Sequence, residues 1–130
     1  MIEFHLAANS GVPTYLQLVQ QVRQAIKLGR LRPGDQLPTV KEVVTKLTIN
    51  PNTVLRAYRE LDLEGLVEGR RGVGTFVAGL APEPLPPDEV EELRHELRRW
   101  VERARAAGLD DENMAALFAE AVSPPVWRVA

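Results

Sequence analysis

Apolar residues recur at helical spacing in three places before residue 65. In PTYLQLVQQVRQAIKLG, the residues Tyr15, Leu18, Val19, Val22 and Ile26 line one side of a helix predicted over 14–28, with Gly29 as its stop. RPGD then forms a tight turn, because Pro33 presets φ and Gly34 accepts a positive one, and Asp35, Gln36 and Leu37 continue as a short extended piece. Pro38 keeps Leu37 out of the helical region. Thr39 caps a second helix over 39–47, with Glu42 as its capping-box partner and Val40, Val43, Val44 and Leu47 as its buried stripe.

The third pattern opens on Asn-Pro-Asn-Thr, residues that disfavour a helix interior but suit a helix start. Asn50 is a good N-cap, and Pro51 fits the first helical position because its missing N–H has no helical partner there. At 100° per residue, Val54, Ala57, Tyr58 and Leu61 fall within an arc about 100° wide. Arg56 and Arg59 fall on the opposite side, within about 40° of Asn52. Two short β-prone runs follow, at 66–68 and 75–78, joined by a glycine-rich bend tipped with Arg70 and Arg71. Helix, helix, tight turn, helix and hairpin in this order predict a winged helix-turn-helix.

GLAPEPLPPD, with four prolines in ten residues, marks a boundary and favours a stiff, extended connector. The predicted layout is a winged helix over 1–79, a linker over 80–87 and a tail over 88–130. In the tail, Asp88 with Glu91 suggests a capped start, and Val90, Leu93, Leu97, Trp100, Ala104 and Ala107 follow at alternating steps of three and four. After Gly108, Asp110 or Asp111 can cap a second short helix bearing Met114, Leu117, Phe118 and Ala121. So small a helical hairpin cannot bury both stripes alone. Packing against the same hairpin of a second subunit would bury them, with Val90, Leu93, Leu97, Trp100, Ala104, Leu117 and Phe118 at the interface. Folding back on its own winged helix is the monomeric alternative. The fold class expected is therefore α+β, mainly α: a winged helix-turn-helix followed by a helical hairpin for dimerisation.

Charge changes the picture only when it is located. The chain of 130 residues carries a net charge of −2. Residues 1–79 hold ten Lys/Arg against seven Asp/Glu, whereas 80–130 hold six against eleven. A local basic face attracts phosphate whatever the total. Without cysteine there is neither a disulfide framework nor a thiolate metal site, and His5 and His95 lie too far apart to suggest a ligand pair. Neither a membrane span nor a signal-type start is evident, which makes the cytoplasm the expected location. RRGVGT lacks the ending of a P-loop and leads into a strand where a phosphate loop would need a helix. No nucleophile, base pair or metal cluster stands out, so neither an enzyme nor a cofactor is expected.

A helix start with Asn, Thr and nearby Arg suits a DNA groove, since Asn pairs bidentately with adenine, Arg with guanine, and Thr with a phosphate oxygen. Caps and surface charge would account for each feature taken singly; their conjunction favours nucleic acid. The alternative class is a winged-helix docking module without operator specificity. PTYLQLVQQVRQAIKLGRLRPGDQLPTVKEV and NPNTVLRAYRELDLEGLVEGRRGVGTFV together resemble the N-terminal domain of the GntR family of bacterial transcription regulators, over residues 12–77. The short tail is similar to that of the YtrA-type subfamily, whose members often repress their own operon and neighbouring transporter genes. The resemblance implies a homodimeric regulator, more often a repressor, on a pseudo-palindromic operator. Its DNA contacts would fall on Thr39, Lys41, Asn50, Asn52, Thr53, Arg56, Arg70, Arg71 and Gly72, to which the outward side of the third helix adds Arg59. Lys41 stands where the family pattern has arginine, which keeps the charge but not the planar fork. Thr48 replaces a turn glycine, so the turn must avoid positive φ or tolerate strain.

Overall fold

The computed structural model describes residues 2–79 and 85–123. Its elements run α1 (Thr14–Lys27), α2 (Val40–Leu47), α3 (Pro51–Leu63), β1 (Val67–Arg70), β2 (Gly74–Val77), α4 (Pro87–Ala106) and α5 (Asp111–Val122). The chain separates into two compact units, Met1–Pro87 and Asp88–Ala130. The predicted connector falls partly on 80–84, outside the described residues.

In the first unit, the apolar stripes of the three helices converge. Leu18, Val19, Val22, Val54, Ala57 and Leu61 lie in one buried cluster with Leu37, Val43 and Val77. α1 ends one residue earlier than expected, at Lys27. Leu28 caps it, Gly29 takes φ +77°, and the Arg30 N–H donates to the Ala25 carbonyl in a Schellman closure. α2 begins at Val40, and Thr39 is its N-cap: its hydroxyl oxygen accepts from the Glu42 N–H at 3.1 Å while the Thr39 N–H donates back to the Glu42 carboxylate.

At Thr48 the turn tolerates strain rather than avoiding it. This residue alone among the described non-glycines has positive φ, at 54° with ψ 50°. A β-branched side chain pays heavily in the left-handed region, roughly 1–2 kcal/mol. Thr48→Gly should therefore raise stability by roughly 0.5–1 kcal/mol, after the larger backbone entropy of glycine is discounted. An upward shift of the urea midpoint at unchanged slope would register it.

The hairpin is longer at its first strand than the sequence suggests. β1 continues through Gly69 to Arg70, which pairs with Gly74, so the turn is only Arg71, Gly72 and Val73. The Val73 N–H donates to the Arg70 carbonyl at 2.9 Å, and Gly72 takes φ +75° at the turn. β-propensity ended the predicted strand at Glu68; the tight turn, not local preference, sets the real limit. The extended piece 35–37 lies along the other side of β2. There the Leu37 N–H donates to the Thr75 carbonyl and the Val77 N–H to the Asp35 carbonyl, each at 2.8 Å.

The N-terminal segment carries no helical or strand pattern, yet Phe4 is part of the core. Two α1 side chains four residues apart hold its backbone. The Gln17 amide both accepts from the Ala7 N–H and donates to its carbonyl, and Gln21 does the same for His5.

α4, which opens the second unit, starts one residue before it, at Pro87, rather than being capped by Asp88. Proline's fixed φ suits the first helical turn, and Asp88 and Glu89 then place acid near the positive end of the helix dipole. Asp110, of the two candidates, is the N-cap of α5, in a reciprocal pair with Asn113. No described helix is long and apolar enough to cross a membrane.

Candidate nucleic-acid interface

The outward side of α3 follows from how its inward side is held. Val54, Ala57 and Leu61 are fully buried, and the buried Tyr58 donates its O–H to the Pro38 carbonyl at 2.6 Å, just before α2. That bond fixes the start of α2 to the middle of α3. Turned the other way, Asn52, Arg56 and Arg59 are exposed. At the helix start the Asn50 Oδ1 accepts from the Asn52 N–H at 2.8 Å, which leaves the Asn50 amide nitrogen for an outside acceptor. Thr53 is half-buried.

Arg56 is exposed but not loose. Its guanidinium lies 3.8 Å from the centre of the Tyr15 ring, which belongs to α1. Such stacking restricts a long side chain and leaves its N–H groups free at the rim. The helical spacing of α1 predicts Tyr15 only as part of its apolar stripe. Nothing local could reveal its second role, because the two residues are brought together by the packing of α1 on α3.

The remaining candidates differ in how far their polar atoms are already engaged. The Thr39 hydroxyl donates to the Glu42 carboxylate at 3.0 Å while it accepts the cap bond, so only a lone pair is left over. Lys41 is exposed at the start of α2. On the hairpin, Arg70 stacks 4.2 Å from the Phe76 ring centre and meets the Glu68 carboxylate at 3.3 Å. Arg71 sits exposed at the turn and has no ion pair among the described residues; Gly72 keeps the turn open beside it. Arg71 is thus the freer cation of the wing.

Tyr58 also carries a pH signature. Burial, and secondarily the Glu42 carboxylate, push its ionisation well above the ordinary value of 10.0. Since the folded value lies above the unfolded one, its stabilisation is complete below about pH 10 and is lost above that, as the unfolded chain releases a proton that the folded chain retains. Tyr58→Phe leaves the Pro38 carbonyl without its donor and should cost about 1–3 kcal/mol at neutral pH. The same variant should lose less stability than the parent when urea titrations are repeated at about pH 11.

Among the described residues, no group of three or more His, Cys, Asp or Glu could hold a metal ion. The arrangement is one of helix-borne amide, guanidinium and ammonium groups turned to solvent. Residues 14–77 match the gntR family of bacterial regulatory proteins. The HTH-type transcriptional repressor YtrA of Bacillus subtilis (strain 168) is 36% identical over 106 residues, which is 82% of either chain. The solved structure of YtrA from Sulfolobus acidocaldarius, a GntR-family transcription factor, is 29% identical with a TM-score of 0.56, the match covering 79% of this chain and 97% of that one. The AraR DNA-binding domain in complex with operator ORR3 aligns with a TM-score of 0.50 at 27% identity, over 59% of this chain and 93% of that one. With the winged helix matched and a relative aligned over 82% of the chain, the chain belongs to the gntR family of bacterial regulatory proteins and is a DNA-binding transcription regulator of that type.

Proposed function

We propose that this regulator is a cytoplasmic repressor that binds a pseudo-palindromic operator as a homodimer, with the start of α3 reading bases in the major groove. The observation that carries the reading is the outward edge of α3. Asn52 and Arg59 stand free of side-chain hydrogen bonds and ion pairs among the described residues, and Arg56 is braced on Tyr15 beside them. Amide and guanidinium groups held this way match the donor and acceptor pattern of adenine and guanine edges. Asn50, Thr53 and Lys41 are placed at helix starts, where backbone N–H groups and side chains suit phosphate. Thr39, Arg70, Arg71 and Gly72 complete the contact set, with Arg71 the leading wing cation.

The tail supports the dimer. Leu93 is 62% exposed, Leu97 48%, Leu117 46% and Phe118 53%. Trp100 is half-buried, while Val90 and Ala104 are already buried within the single chain and add little to a second surface. Large apolar side chains left open on one helical hairpin suit a self-complementary two-fold contact. Repression, as in the name of the Bacillus subtilis relative, would follow from occupying the operator.

Binding to duplex DNA measured across a salt series tests the function. Neutralised phosphates release counterions, so log K should fall steeply and linearly with log salt, and enrichment from random DNA should yield a motif with inverted halves. A salt-independent interaction with no enriched motif would leave only a docking module.

A further inference from the structure

Leu55 stands apart from its neighbours on α3. It follows Asn52 by three residues and precedes Arg59 by four, so it shares the outward side with both. It is 45% exposed, whereas Asn52, Arg56 and Arg59 near it on that side are polar. A solitary exposed leucine is ordinary on a protein surface; its place near the start of this helix is not. Leu63, also exposed, lies eight residues further on, roughly 12 Å along the axis and away from the end that meets base edges.

The chemistry narrows what Leu55 can meet there. A leucine offers neither donor nor acceptor, so against a cytosine amino group or a guanine O6 and N7 it would strip water and return nothing. The 5-methyl of thymine is the major-groove group that an aliphatic side chain covers with gain. Asn52 and Arg59 on either side would hold the adjoining polar edges. Resting on the operator-reading function proposed above, we infer that Leu55 is a specificity-determining residue that packs against one thymine methyl in each half-site.

Uracil tests this directly, because it differs from thymine only by that methyl. The full chain would first enrich its motif from an unmethylated random duplex library, which leaves thymine as the only source of a 5-methyl group. Each thymine of one half-site would then be replaced by uracil in turn. The expected result is one position at which uracil weakens the parent about fourfold, the equivalent of burying one methyl at ~0.8 kcal/mol. Leu55→Ala should bind thymine and uracil alike at that position with an unchanged salt slope. Leu55→Gln, tested in parallel, should do the same and stands in should the alanine variant fail to fold. Uracil tolerated at every position, or a penalty that persists in the folded Leu55 variants, would overturn the assignment while leaving the regulator reading intact. Failure to enrich any motif would instead remove that reading and this inference together.

Discussion

Placing a charge on the open face of the tail should separate the subunits and remove most operator binding. In Leu97→Glu with Phe118→Glu, two half-exposed apolar side chains become carboxylates. A self-complementary contact doubles each change, so four charges enter one interface, and burying an unpaired charge is far costlier than leaving the helices apart. Each winged helix would then hold only its half-site. Losing the second, linked contact should weaken operator affinity by roughly 10²–10⁴-fold. Light scattering coupled to size-exclusion chromatography at micromolar protein, followed by titration of operator DNA, would read both effects. A parent chain already monomeric under these conditions would contradict the dimer.

The second large effect concerns the anchor beneath α3. Leu61 is fully buried, and its carbonyl also accepts the Leu66 N–H that closes the helix. Leu61→Ala should cost about 2–5 kcal/mol, the usual range for removing a large side chain from a packed core. A unit of this size is stable by only about 5–15 kcal/mol, so a sizeable part of its stability would go. Urea denaturation followed by far-ultraviolet circular dichroism would measure the loss. A change of less than about 1 kcal/mol would mean that α3 is not held in the way its burial pattern implies.

Much of this fold is legible in the sequence because its information is local. Thr39 with Glu42, Asn50 with Pro51, and the stripe from Val54 to Leu61 each lie within a few turns of one helix, where spacing alone dictates the outcome. What escaped is long-range. Phe4 enters the core from a segment without periodicity, and Gln17 and Gln21 hold that segment through side-chain amides rather than a ladder of backbone bonds. Likewise, the extended residues 35–37 pair with β2 forty residues later, and the end of β1 depends on a turn rather than on the residues of the strand. Of the candidate site, the outward residues of α3 could be placed by counting. The Tyr15 ring under Arg56 and the Glu68 carboxylate beside Arg70 could not, since both depend on side-chain positions that packing decides.

Thr48 is the instructive departure. The family pattern suggests glycine at this turn, and the backbone adopts the glycine-like conformation without one. The closure of α2 and the placement of α3 after it therefore override the local cost.

Whether the polar edge of α3 reads sequence is decided by the ratio of operator to random-DNA affinity in Asn52→Ala and Arg56→Ala. Each variant should lose about 1–3 kcal/mol on the enriched operator, with its binding to random duplex nearly unchanged and its preference relaxed at one position per half-site. Equal losses on operator and random DNA would reduce both residues to backbone contacts and contradict direct readout by α3.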